Sequence, residues 1–473
     1  MRRVVLALLS VAAWTGTAGA NGRPAGTSTI NFEQGNPQHI AAGMTFGFLR
    51  SEDGGTTWKW MCEAAIGYGG TFDPDYAYSP TGAIFATTFN GLTVLRPPPN
   101  GDNCTFNAAE PGTTFVSADE MGPDGSVFYA AADPNDGKIY RSNDDGATFP
   151  VSSSPGQNND WWDSILIAPS DPTRVYLTGY RFKKVCSNNT CTVAADCGGS
   201  PNTCDSQKVQ LLFRSDNGGT SYTALPQTGL TASNQSTLDI VGIDHANKDI
   251  VYLHINLENG SMGDSIYKSI NAGLTWTKIL TTNDPFGLVF LARSNGDLVA
   301  STQTTGSQKS TNGGTSWTPL TNPPHINCLV EDPADHSVWA CTHNYDSPGI
   351  PGDGYGIMKT TDYATWTGVL RYQDIAGVYV CPGTTVQTQQ CVNSYMGKPS
   401  VWCCLRDQLG ITDTSVNCTG ANSCAVAGDG GDDAGNTMVT PPKKGCCNAG
   451  GSGPGALLLA GSVGALLWRR RRR

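Results

Sequence analysis

An octapeptide that recurs along the chain restricts the fold more than any other feature. Six copies are readable: SEDGGTTW from Ser51, SNDDGATF from Ser142, SDNGGTSY from Ser215, SINAGLTW from Ser269, STNGGTSW from Ser310 and the shortened TTDYATW from Thr360. The shared pattern is Ser-x-Asp/Asn-x-Gly-x-Thr/Ser-aromatic. A cation stands immediately before every copy: Arg50, Arg141, Arg214, Lys268, Lys309 and Lys359. Asp or Asn at the third position closes a turn by accepting backbone N–H bonds. Gly at the fifth supplies a positive φ without a Cβ clash, and the hydroxyls satisfy further turn groups. The aromatic opens the next strand with a large apolar surface. Each copy thus reads as a hairpin turn locked onto a core, with Asp53, Asp144, Asn217, Asn271, Asn312 and Asp362 as its structural acid or amide. The Thr360 copy lacks the glycine and is expected to turn differently.

Spacing turns the motif into an architecture. The shortest interval between starts, 41 residues from Ser269 to Ser310, is about the length of one four-stranded unit. The longest, 91 residues from Ser51 to Ser142, holds two. The hidden unit reads DYAYSP, AIFATTF, GLTVLR and CTFNAA between Asp75 and Ala109, its turn replaced by Pro97-Pro98-Pro99-Asn100-Gly101-Asp102. Paired inner strands recur too, as in WDSILIAPSDPTRVYLTGY from Trp162, LDIVGIDHANKDIVYLHI from Leu238 and INCLVEDPADHSVWACTH from Ile326. Seven units fit between about Thr27 and Tyr372.

The motif resembles the Asp-box, or BNR, repeat of sialidase-like β-propellers. The resemblance implies an all-β fold: a seven-bladed propeller of four-stranded antiparallel blades over residues 21–373, with the boxes on the outer part of the blades and away from the central pocket. A Cys-rich insertion is expected at 182–208 and a small disulfide-rich module at 374–424. The first blade is complete enough to need no borrowed strand.

Residues 1–20 read as a secretory signal: Arg2 and Arg3 precede an apolar run, and Ala18-Gly19-Ala20 suits cleavage. Residues 425–445 read as a flexible linker. Residues 446–473 hold Cys446, Cys447, a Gly-rich spacer, the apolar run Ala456 to Trp468 and five arginines. This tail resembles the MYXO-CTERM sorting segment, which implies processing by a myxosortase-like protease near Cys446 or Cys447 and display at the cell surface or outer membrane. A plain tail anchor is the other reading. Sixteen cysteines in an exported chain favour disulfides over metal ligands. Cys328 and Cys341 flank one hairpin and suit a mutual bond. Cys62 and Cys104 hold equivalent outer positions in the first two units. Cys186, Cys191, Cys197 and Cys204 form one group, and Cys381, Cys391, Cys403, Cys404, Cys418 and Cys424 another, with connectivity open.

Charge narrows the function. Without the seven arginines at the two ends, 23 basic residues face 40 acidic ones. Such a body excludes nucleic acid, which needs a basic surface. It suits neutral or cationic partners, or calcium. The loops expected opposite the boxes carry the ligand-binding candidates Trp161, Trp162, Tyr345, Asp346, Asp353 and Tyr355. Asp75, Asp163 and Asp239 fall near the starts of innermost strands and are the catalytic candidates, because paired carboxylates about 5–9 Å apart hydrolyse glycosides. Calcium is the only cofactor these acids suggest. His336 and His343 read as surface residues.

The ten arginines between the tails include none in an innermost strand, so the sialidase arginine triad is missing. A xyloglucanase-like hydrolase resembles the repeat better, although that family usually builds its cleft between two propellers. The leading expectation is non-catalytic binding of an extracellular glycan or protein, and the alternative is a glycoside hydrolase.

Overall fold

The computed structural model describes residues 24–423 apart from 69–72, 110–114, 132–136, 187–203, 259–262, 285–286 and 348. The expected signal, linker and tail, with Cys446 and Cys447, lie outside the described residues, as do Cys191, Cys197 and Cys424. Within them, seven antiparallel sheets of four strands follow one another along the chain. Each sheet uses four consecutive strands, so no blade borrows a strand. Blade one comprises Thr27–Glu33, Asn36–Met44, Gly47–Ser51 and Lys59–Met61. Blade two is the unit without a recognisable octapeptide: Tyr76–Tyr78, Ile84–Thr88, Gly91–Leu95 and Phe106–Ala108. The remaining innermost strands are Val116–Met121, Trp161–Ala168, Thr237–Ile243, Leu288–Ala292 and Cys328–Glu331. Neighbouring innermost strands touch all the way round, including the first against the last. The ring is closed.

The octapeptide joins the third strand of a blade to the fourth, and its hydrogen bonds repeat. In the Ser310 copy the Ser310 hydroxyl donates to Asn312 Oδ1 (2.9 Å) and accepts the Gly314 N–H (2.9 Å). Asn312 Oδ1 then accepts the Ser316 N–H (2.9 Å). The same three bonds are made in the copies at Ser51, Ser142, Ser215 and Ser269. The shortened copy compresses the pattern by one residue: Thr360 accepts from Tyr363 N–H and Asp362 from Thr365 N–H. In blade two Asp102 takes over, accepting the N–H groups of Cys104 and Thr105, both at 2.8 Å.

Two features of the turn act on the neighbouring blade. Its fourth residue has positive φ in every copy, at Gly54, Asp145, Gly218, Ala272, Gly313 and Tyr363. In four cases that residue's carbonyl accepts from a cation of the preceding blade: Arg96 to Asp145, Arg141 to Gly218, Arg214 to Ala272 and Lys268 to Gly313. Three of these cations are the residues that directly precede a box. The fifth-position glycine lies against an apolar side chain of the preceding blade with no space for a Cβ. Gly146 meets Phe85, Gly219 meets Phe128, and Gly314 meets Ile279. Gly55 meets Trp339 of blade seven and so continues the pattern across the closure.

The segment after blade seven binds across that closure. The Tyr372 and Thr27 hydroxyls are 2.9 Å apart, and residues 376–379 run beside the outer strand of blade one, with Trp60 and Val378 in a parallel bridge. Gln387 receives the Cys62 N–H (2.9 Å) and donates to Trp60 O (3.0 Å). The helix Val401–Leu409 places Trp402 against Trp60, ring centroids 5.3 Å apart. Cys62 bonds Cys391 and Cys104 bonds Cys381, while Cys403 bonds Cys418. Two of the module's cysteines thus bolt it to blades one and two, settling a connectivity the sequence left open. Cys328–Cys341 forms across the blade-seven hairpin as expected. Cys186, Cys204 and Cys404 are also disulfide-bonded.

Two outcomes test this packing. Ser310→Ala leaves the buried Gly314 N–H without its acceptor and should cost about 1–3 kcal/mol in denaturant unfolding. Cys62→Ser with Cys391→Ser should cost about 2–5 kcal/mol. Non-reduced peptide mapping should recover the 62–391 and 104–381 pairs, and a 62–104 pair would contradict the arrangement.

Candidate functional site

Strand order fixes two faces. The octapeptide turns share one face with the turns between first and second strands. The opposite face carries the loops between second and third strands and the links between blades. The octapeptide face is crowded with ion pairs between blades. Arg174 bonds Asp216 of its own blade and Asp249 of the next, both at 2.6 Å. Lys248 bonds Asp171 at 2.5 Å, which with the Thr173 hydroxyl holds the Asp171 carboxyl down at about 2. Arg293 bonds Glu331 at 3.1 Å and the Tyr363 hydroxyl at 2.9 Å.

The loop face holds the candidates. Asp75 directly precedes the innermost strand of blade two, and Asp163 and Asp239 are third in those of blades four and five. All three are half-buried, one per blade. Between them lies an acid that sequence reasoning missed: Asp119, 7 % exposed in the innermost strand of blade three. Its alternating neighbours look like any strand, so only the ring reveals its position. Burial pushes the Tyr76 phenol well up, with the charge of Asp73 adding to the rise, and its ring packs on Phe48 of blade one, centroids 5.0 Å apart. Asp239 pairs across strands with His254, whose Nε2 is 3.4 Å from Asp264 Oδ2. His254 and Asp264 are both buried.

Trp161 and Trp162 part company. Trp162 is 1 % exposed, donates from Nε1 to Gly137 O (2.8 Å) and meets Phe213 edge-on. It is a packing residue and no platform for a ligand, which corrects the expectation. Trp161 is half-buried and stacked on Tyr180, interplanar angle 8°. Tyr180 in turn meets Phe182, which is 49 % exposed. These rings form a shelf where the hairpin Asp171–Val185 and Asp205–Ser215 rises past the other blades. The link before Trp161 is pinned by Asp160, fully buried, which bonds Arg181 at 2.7 Å and the Gln157 N–H at 2.7 Å.

The loop from His343 to Tyr355 is committed to its own shape. Asp353 bonds His325 Nδ1 at 2.9 Å and the His343 N–H at 3.0 Å. His343 is half-buried, with Asn327 and Ser347 on its two ring nitrogens, so it is not the surface residue expected. His336 is 62 % exposed and pairs with Glu331. Tyr345 donates to Leu409 O (2.6 Å) and docks the loop on the module. The Tyr355 ring covers Gly368. Asp346 is exposed and accepts the Gly352 N–H at 2.7 Å. In blade five, Glu258 is held by the hydroxyls of Ser265 and Tyr267 and by Lys278. Tyr267 is 1 % exposed, which closes that cluster to a substrate. Among the described residues no group of three or more His, Cys, Asp or Glu is arranged to hold a metal.

No family model matches the chain, and no curated protein matches it. Solved structures with a similar chain path include an extracellular domain from B. thetaiotaomicron, at 13 % identity and TM-score 0.46 over 72 % of this chain and 39 % of that one. The GH74 xyloglucanase of Xanthomonas campestris gives 14 % and 0.43 over 72 % and 58 %. YCF48 of Cyanidioschyzon merolae gives 16 % and 0.37 over 62 % and 84 %. The chain thus spans about half the length of the first two, and no function passes from any of them to it.

The two tryptophans supply a test. Trp162→Ala should cost about 3–5 kcal/mol of stability, whereas Trp161→Ala should leave the unfolding midpoint nearly unchanged. A second test uses Asp171. Its carboxyl is lowered in the folded state, so its contribution is present above the unfolded value near 4 and is lost as pH falls toward about 2. Asp171→Asn should flatten the loss of thermal stability over that acid window and leave its slope near neutral pH alone.

Proposed function

We propose that this chain is exported, held at the cell surface, and binds an extracellular glycan on the loop face without turning it over. The observation that carries the reading is a pair of accessible rings, half-buried Trp161 and half-exposed Phe182, braced by the buried Tyr180 between them, with Trp161 two residues along the strand from Asp163. At about 3.3 Å per residue that separation is about 7 Å, within one sugar ring of the channel mouth. Aromatic faces stack on the apolar faces of sugars, and adjacent carboxylates accept their hydroxyls. The opposite face is taken up by the bonds between blades. A resemblance to Asp-box propellers fits that division of labour, because the box residues are spent on turns. A protein ligand would be expected to use the same face.

Hydrolysis is the second reading, since Asp163 and Asp239 come from adjacent blades whose innermost strands touch. The deciding experiment is a glycan-array screen of the full chain followed by turnover assays on the best ligand. Binding without product supports the proposal. Product formation lost in Asp163→Asn, with binding retained, would replace it with a hydrolase. Surface retention through a MYXO-CTERM-like tail, and its cutting by a myxosortase-like protease, are proposals of the same standing. Replacing Cys446 and Cys447 with serine should release protein to the medium or leave it uncut, and unchanged mass and retention would oppose that reading.

A further inference from the structure

The loop face carries a second pair of rings, two blades from the first. Phe89 and Phe182 are the most exposed aromatic side chains among the described residues, at 41 % and 49 %, and both stand on this face. Phe89 occupies the two-residue turn between the second and third strands of blade two. That turn is held shut: the Thr88 hydroxyl donates to Gly91 O (2.8 Å) and accepts the Asn90 N–H (3.1 Å). The Phe89 ring is stacked on half-buried Phe115, centroids 5.1 Å apart and planes 22° apart. Phe115 directly precedes the innermost strand of blade three, and Trp161 opens that of blade four. Those two strands touch. The two ring pairs therefore lie on either side of blade three on one face, each mounted at strand ends and braced by a neighbouring ring. A soluble surface keeps few exposed phenylalanines that have no use. A phenyl ring lacks the polar handle of Tyr or Trp, so what it offers a ligand is a flat apolar face.

We infer that the two pairs are the ends of one extended binding site, and that its ligand is an internal stretch of a linear glycan lying across the loop face from blade two to blade four. This rests on the glycan reading and deepens it. Packed sheets stand about 10 Å apart, so platforms two blades apart are separated by roughly 20 Å, several sugar rings and more than a disaccharide bridges. A chain seated on one platform presents its later rings to the other at high effective concentration. A monosaccharide or a short chain end gains one platform alone. The closed turn under Phe89 holds that ring in place before the ligand arrives, which lowers the entropy lost on binding.

The test titrates the full chain by calorimetry with the dimer and hexamer of two neutral series, N-acetylglucosamine and a β-glucan. In the series that binds, the expected result is two dimers per chain but one hexamer, with the hexamer at least about tenfold tighter than the dimer. Phe89→Ala should leave one dimer bound per chain and erase most of the hexamer's margin while the melting temperature holds. Phe182→Ala should do the same from the other end. Phe89→Leu keeps the apolar bulk without the flat face and should match Phe89→Ala, so it serves as the second variant should the first fail to fold. A hexamer no tighter than the dimer, or a margin that survives both Phe89 variants, overturns the two-platform inference and leaves glycan binding at Trp161 and Phe182 standing. Binding of neither series also overturns it, and the array screen then judges the glycan reading by itself.

Discussion

The whole ring depends on how one blade grips the next. The grip has three parts that the octapeptide supplies together. A left-handed fourth residue turns its carbonyl toward the neighbouring blade, a cation there donates to it, and a fifth-position glycine lets the backbone press on an apolar side chain. In blade three, Arg141 sits directly across the strands from Phe128, its guanidinium 5.3 Å from that ring, and reaches Gly218 O. Gly219 then lies on the same Phe128. A cation, an aromatic ring and a glycine thus make one joint. Lys268 and Tyr252 repeat the cross-strand pair in blade five, and Lys359 and Trp339 in blade seven. Any bulkier fifth residue meets both the strain of positive φ and a filled space.

The joint explains why closure needs no exchanged strand. Trp339 offers blade one the surface that Phe128 offers blade four, so the glycine-on-aromatic contact continues across the last seam. What distinguishes it is that no peptide link spans it. The chain supplies one late: the segment after blade seven crosses to the outer strand of blade one and is tied by Cys62–Cys391, with Cys104–Cys381 reaching a further blade. A bond across a separation of 329 residues removes much freedom from the unfolded chain. It also covers an outer strand that would otherwise expose its edge.

Much of this was legible before any coordinates. The octapeptide has a local cause for each residue, so the seven units and the hidden second one follow from sequence. The cation before each copy was visible as a pattern, but its target was not, because it lies on another blade. The fourth-position φ was hidden for a different reason: Ala272 and Tyr363 carry side chains that rarely signal a left-handed backbone. The module cysteines offered fifteen pairings among themselves, and the true partners of Cys391 and Cys381 lay 329 and 277 residues away. The helix Val401–Leu409 was missed because nine residues give little more than two turns of periodicity.

Site residues were legible by type and not by availability. Trp161 and Trp162 are indistinguishable in composition, yet a strand alternates its faces and only one can point out of the core. A β-bulge between Trp162 and Ser164 leaves Asp163 as the extra residue, which breaks the alternation where the strand meets the channel. Asp353 looked like a ligand acid and is consumed by backbone N–H groups and His325. Asp119 looked like an ordinary strand residue and lies among the acids of the mouth. The difference is topological: a residue's neighbours around the ring come from blades some 40 to 90 positions away, so the chemistry of the channel is written in the order of blades rather than in any one segment.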